Sequence, residues 1–403
     1  MKVDLRRASW FDRSRLNGYA KCVLAVSAVS SLWFYYDSAF VTGSDFQAFW
    51  SAARILITGG AEKVYSLGLA EELQRGMPTA GFIAFVHPPP FLLLLAPLGL
   101  LPYPVAMAVW NIASFSAWAV AATRIDPRSA WPIVAFPGAL VAVAHAQTGL
   151  LCSALICGSI AAGPKRPFLA GAFIGALVIK PQIALLFPLI IVLSKQPKIF
   201  VAAAISAGVC VLIPLVAWGQ QTYSAWFGSL SETAELVARA DPVFLQRMCT
   251  VYSAARLTGS TPFAVVAQST SAVGSLLFLF WVSRQTRNYF VLSSAGLTCT
   301  CLCLPYLFSY DLPFLVVPLI WVGMQGRSIG WLDWEKLGLA VAYWGVFVCR
   351  ATALPVGVNA TPFISVLILW LIWRRLRWLA GNAESHEPSR NSGAGAVVKG
   401  NII

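Results

Sequence analysis

The sequence predicts an all-α membrane protein: a polytopic transmembrane bundle of about 10–12 spans, with an interfacial helix on the outer face after the first span. Three observations carry this. Of 403 residues, 58% are hydrophobic and only 11% charged, against about 25% charged in a soluble domain. The apolar residues come in runs close to the ~20 residues that cross a bilayer. The positive charges sit in short clusters between those runs, which is the positive-inside pattern.

The 29 Lys and Arg against 16 Asp and Glu raise a nucleic-acid partner as one reading, and the clustering between apolar runs argues against it. Nine cysteines fall almost wholly within apolar runs, without a CxxC pair. Cys299, Cys301 and Cys303, two apart, cannot share one helix face as metal ligands would. The cysteines therefore read as small apolar fillers, and no metal site is expected.

Residues 1–18 form a basic cytoplasmic N-terminus with Lys2, Arg6, Arg7, Arg13 and Arg15. The apolar run that follows exceeds a signal peptide's core and has no small-residue cleavage site, so 19–40 reads as a retained first span. An outer loop, about 42–83, comes next. Its first part, DFQAFWSAARILITGG, has near-helical apolar spacing and ends on Gly59-Gly60, as an interfacial helix would. In FVHPPP, three prolines can only begin a helix, so His87 to Pro90 marks the mouth of a second span.

Further apolar runs lie near 104–122, 131–144, 148–163, 168–194, 199–218, 263–283, 289–306, 311–324, 336–350 and 361–379. A second outer loop occupies about 219–262. Thus 19–380 is one transmembrane domain, and 381–403 is a polar cytoplasmic tail expected to be disordered. Cationic connectors at Lys165-Arg166, Lys195 with Lys198, Arg284 with Arg287, and Arg374, Arg375 with Arg377 are placed inside. The run 168–194 then has both ends inside. It breaks at Lys180-Pro181-Gln182 into halves of about 18 Å each, short of a crossing. Such a break is tolerated only where it lines a protein or water cavity, and Lys180 is expected in that cavity without an obvious charged partner. Arg124 and Arg128 fit the positive-inside rule poorly in this scheme.

Asp45 leads the candidates for chemistry. A carboxylate at a helix N-terminus is a stabilising cap. Beside Phe46, Phe49 and Trp50 at a membrane surface, it also suits a general base that takes a proton from an acceptor hydroxyl. Asp37 is a weaker candidate. Lys180, within an apolar run, is either a snorkelling lysine or a cation for a phosphate leaving group, with Arg247 and Arg256 as helpers. His87 and His145 suit structural roles, and His87 is also a candidate for binding substrate. Gln147 suits a sugar hydroxyl. Asp311, after Tyr310, caps a late helix or faces the site.

The ordered set DFQAFWSAARILITGGAEKVY (45–65), HPPPFLLLLAPLGLLP (87–102), AQTGLL (146–151), LAGAFIGALVIKPQIALLFPL (169–189), VYSAARLTG (251–259) and SYDLPFLVVPL (309–319) resembles glycosyltransferase family 87, within the GT-C class of integral-membrane glycosyltransferases. The resemblance implies a GT-C-like bundle. It implies an inverting transfer of a hexose, by default mannose, from a polyprenyl-phosphate carrier to a hydroxyl on a glycan or glycolipid. Asp45 would be the catalytic base, and Lys180 and Gln182 would line the donor-phosphate pocket near Gln147, Tyr310 and Asp311. His87 stands where the family usually has an aromatic residue, and Ala146-Gln147 replaces a GQ-like pair. Localisation would be a bacterial inner membrane with the site facing the periplasm, and the lipid-phosphate sugar would be a co-substrate rather than a cofactor. A lipid-linked sugar transporter or flippase is the alternative, weakened because no internal repeat is evident. An acyltransferase using His145 or His87 is a third reading.

Overall fold

The structure, a computed structural model, describes residues 4–8, 10–78, 81–238 and 242–385. Among these the chain is helical with no strand, the all-α polytopic bundle expected. Helix α1 (Arg13–Phe40) leads to α2 (Phe46–Gly59), a 3-10 turn (Ala61–Tyr65) and α3 (Leu67–Gln74). The first half of α2 is buried beneath neighbours from the 61–100 region. Pro89 opens α4 (Pro89–Leu95), as its fixed φ favours, and α4 tightens into a 3-10 turn (Ala96–Leu100).

That short piece corrects the expected second span. Helix α5 (Tyr103–Ile125) is antiparallel to α1. At one end Tyr35 donates to the Pro104 carbonyl at 3.1 Å and Tyr103 to that of Ser38 at 3.4 Å; at the other Arg13 donates to the Arg128 carbonyl at 3.4 Å. The chain between α1 and α5 therefore starts and finishes on one face, and Pro89–Leu100 dips in without crossing. Gly99 lets it approach α2, since a Cβ there would lie 2.5 Å from the Ala53 carbonyl oxygen. The correction also puts Arg124 and Arg128 at the end where α1 begins, resolving their poor fit.

Helices α6 (Ala130–Val134) and α7 (Pro137–His145) return toward the Asp45 face, and α8 (Gly149–Ala162) leaves it. Helix α9 (Pro167–Gly175) passes into a 3-10 turn (Ala176–Ile179), the helix breaks at Lys180 as predicted, and α10 (Phe187–Leu193) follows. Helix α11 (Pro197–Trp218) lies parallel to α9: Gly171 abuts Ile199 and Ala202, while Gly175 abuts Ala203 and Ser206. Small residues permit such contact between apolar helices. Parallel α9 and α11 require α10 to run back, giving the broken pair expected for 168–194.

The second polar stretch forms α12 (Gln220–Ala238), α13 (Pro242–Arg247) and α14 (Val251–Thr258). Helices α15 (Thr261–Gln285) and α16 (Tyr289–Cys303) form a hairpin; a 3-10 segment (Ser309–Leu315) runs into α17 (Val316–Ile329), followed by α18 (Glu335–Val356) and α19 (Thr361–Ser385). Helix α19 extends into the expected tail, of which 386–403 lies outside the described residues. Among the described residues, five elements are long and apolar enough to cross a membrane unaided: α5, α11, α15, Ser309–Ile329 and α18.

The connectors sort the bundle into two faces. Arg13, Arg128, Arg327, Lys336 and Arg374 are joined by contacts at one end. Arg287 donates to the Leu193 carbonyl at 2.9 Å, tying the α15–α16 and α10–α11 connectors. The opposite ends gather Asp45, His87, His145, Lys180 and the 304–311 turn. Arg375, at the same end of the bundle, is fully buried and bonded through two guanidinium nitrogens to Glu335.

Candidate active site

The site forms where four helices break. Asp45 occupies the N-cap position of α2, but its side chain caps no backbone amide; the hydroxyl of Ser44 accepts from the Phe46 amide at 3.3 Å instead. The half-buried Asp45 carboxylate turns aside and accepts from Gln147 Nε2 at 3.2 Å. A carboxylate that forgoes its cap remains available as a proton acceptor.

The segment AQTGLL explains itself residue by residue. Ala146 takes left-handed backbone (φ 47°), ending α7. Gln147 reaches Asp45, and the Thr148 hydroxyl accepts from Lys180 Nζ at 3.2 Å. Gly149 allows the turn to sit against the late segment, because a Cβ there would fall 1.8 Å from the Tyr310 carbonyl oxygen.

Lys180 differs from expectation. It is buried, at 6% exposure, and is paired with Asp311: Nζ lies 2.5 Å from Oδ1 and sits over the Tyr310 ring at 5.4 Å. The apparent lack of a partner was an effect of sequence distance, 131 positions. Asp311 is also a cap, its Oδ2 accepting from the Phe308 amide at 3.4 Å. Lys180 is thus an ion-paired strut between three irregular backbones.

Tyr310 packs on His145, with ring centroids 5.4 Å apart. His145 Nδ1–H donates to the Val141 carbonyl at 2.9 Å, leaving Nε2 to accept from Arg350 Nη2 at 3.5 Å. Arg350, half-buried on α18, stands within electrostatic reach of Asp45 and Arg247. Sequence reasoning missed Arg350, which reads as one charge near the end of an apolar run. Thr148 was missed too, though it lies within the quoted motif.

His87 is buried against Phe49, Phe85 and Phe91, with centroids 4.8–5.6 Å away. Among the described residues neither ring nitrogen has a partner. Burial, and then the Lys180 charge, hold its pKa well below the ordinary imidazole value, so it is neutral. Burial foremost, with Asp311 and Asp45 adding, pushes the Tyr306 phenol up to about 12.

The structure does not bring every candidate together. Gln182 is half-buried in the turn after Lys180, where its carbonyl accepts from the Leu185 amide at 3.3 Å. Arg256 is exposed on α14, and among the described residues no hydrogen bond or ion pair joins it to the cluster. Asp37 accepts from the Thr42 hydroxyl at 2.6 Å, a local turn contact. No group of three or more His, Cys, Asp or Glu suited to a metal ion occurs among the described residues.

Comparison with known proteins adds one finding. The model of glycosyltransferase family 87 matches residues 85–305. No curated protein and no solved structure matches the chain.

Proposed function

Taking as premise that the chain belongs to glycosyltransferase family 87, and is a membrane glycosyltransferase, we propose that it moves a hexose, by default mannose, from a polyprenyl-phosphate carrier to a hydroxyl of a glycan or glycolipid, with inversion. The observation that carries the reading is the Asp45 carboxylate, unspent on capping and aimed at Gln147. Asp45 takes the acceptor hydroxyl's proton, the hydroxyl oxygen attacks the anomeric carbon, and the carbon–oxygen bond to phosphate breaks on the far side. The polyprenyl phosphate leaves with the bonding pair. Its developing charge meets Arg350, which has no carboxylate ion pair among the described residues, while Lys180 is neutralised by Asp311. Preorganised cations of this kind are a large part of transfer catalysis.

Gln147 and Tyr310 suit sugar contacts from positions flanking the base. Because the connectors opposite the site are basic, the positive-inside rule supports a site on the non-cytoplasmic, periplasmic side of a bacterial inner membrane.

The test is turnover of radiolabelled polyprenyl-phosphate-mannose by purified protein in lipid, wild type beside Asp45→Asn. We expect wild-type release of polyprenyl phosphate and a drop of roughly 10²–10⁴-fold in the variant. Transfer at the wild-type rate in Asp45→Asn would remove the base assignment. The buried Lys180–Asp311 pair also gives the transporter reading a feature it lacked, since paired charges inside a bundle mark transport pathways. Flux of intact lipid-linked sugar across liposomes, with no chemical change, would favour that reading.

A further inference from the structure

A sizeable cavity lies away from Asp45. It measures about 540 Å³ and opens between α1, α6, α17 and α18 on the basic face. Helix α1 packs on α5, α6 and α7, and its remaining side borders this groove.

The groove has two zones. Its walls are apolar, with Leu16 and Val23 on α1 facing Leu319 and Ile320 on α17. Its rim is cationic: Arg13, Arg128, Arg327 and Lys336 line it. Arg327 is spent on Asp126. The others are not matched by carboxylates among the described residues. Arg13 donates to the Arg128 carbonyl, and Lys336 to the carbonyls of Ala8 and Phe11 at 3.3 and 3.2 Å. The rim carboxylate, Asp12, accepts from the Arg15 amide as the cap of α1.

The dimensions suit one leaflet. From Arg13 to Val23 is ten helical residues, about 15 Å at 1.5 Å each, half of a ~30 Å hydrocarbon core. The outward side of α1 beyond the groove is apolar and exposed at Val26, Val29 and Leu32, giving lateral access from acyl chains. We infer that this groove binds an anionic phospholipid of the basic-face leaflet, its phosphate among Arg13, Arg128 and Lys336 and an acyl chain between α1 and α17. The inference is independent of which sugar the opposite face transfers.

Native mass spectrometry of the full chain tests it, with phosphatidylglycerol and phosphatidylethanolamine of identical chains added in excess. We expect preferential retention of phosphatidylglycerol, falling about fivefold for each charge removed in Arg128→Gln and Lys336→Gln. Ala20→Phe, which intrudes on the groove from α1, should lower retention of both lipids. Equal retention of the two lipids by wild type overturns the proposal, as does a preference unchanged in both charge variants. Soluble glycerol phosphate competing as well as the lipid would overturn it in favour of a simple anion site. Because the readout is the bound lipid in wild type as well as in the variants, a variant that fails to fold leaves the comparison standing.

Discussion

Two buried ion pairs divide the molecule's labour. Arg375 and Glu335 join the regular helices α18 and α19 near the basic face. The guanidinium meets both carboxylate oxygens and also donates to the Gly330 carbonyl at 3.0 Å, while Glu335 accepts from the Leu332 amide at 3.1 Å. Such bidentate satisfaction is what arginine offers in a dry interior. Lys180 and Asp311 instead join three breaks: the end of the Ala176–Ile179 turn, the Thr148 turn and the start of Ser309–Leu315. A lysine is a point charge, so this pair fixes position more than orientation. The first pair closes a helix interface. The second holds the irregular backbone that presents Gln147 to Asp45, backbone of a kind tolerated within a membrane only where it is buried in protein or lines a cavity.

The sharpest way to break the comparison is to remove one cation from each pair. Arg375→Met and Lys180→Met each strand a buried carboxylate, and each should cost about 3–5 kcal/mol of stability, read as a fall in thermal midpoint in detergent. The paired variants separate the roles. Arg375→Met with Glu335→Leu should recover most of the stability and keep transferase activity. Lys180→Met with Asp311→Leu should recover stability but leave turnover at least tenfold down, because the breaks lose their common strut. If the second double variant transfers at the wild-type rate, the pair is merely structural.

Much of this was legible locally. The proline run sets the start of α4 through φ alone, Gly59-Gly60 ends α2, and the break at Lys180-Pro181 needs no tertiary knowledge. Asp45 at the head of α2 was equally visible, although whether it caps the helix was not, since Ser44 and Gln147 settle that through geometry. What stayed hidden was contact across distance. Nothing near Lys180 announces Asp311, and nothing near Arg350 announces His145. The twelve residues of Pro89–Leu100 show the limit of hydropathy, which reports what an apolar run can enter but not whether it leaves by the same face.

Arg350 sharpens the comparison from the other side, as a cation of the cluster with no carboxylate ion pair among the described residues. Arg350→Gln should lower turnover about 10–100-fold, the worth of a charge-assisted contact, with little change in thermal midpoint. The same measurement on Arg256→Gln should give wild-type turnover, because Arg256 is exposed and unconnected to the cluster. Equal losses in the two would return the phosphate role to the outer loop.

The smallest effect concerns His87, the neutral neighbour of the Lys180 strut. Its folded pKa lies below the unfolded value of about 6.5, so the unfolded chain binds more protons as pH falls. Stability contributed by the neutral ring is therefore whole above that value and is lost toward pH 5. His87→Phe keeps an aromatic plane among Phe49, Phe85 and Phe91 and removes two buried nitrogens without partners. Its thermal midpoint should match wild type or exceed it slightly at pH 7.5, and the gap should widen at pH 5. A gap that stays constant across this range would mean that His87 gains a partner when protonated.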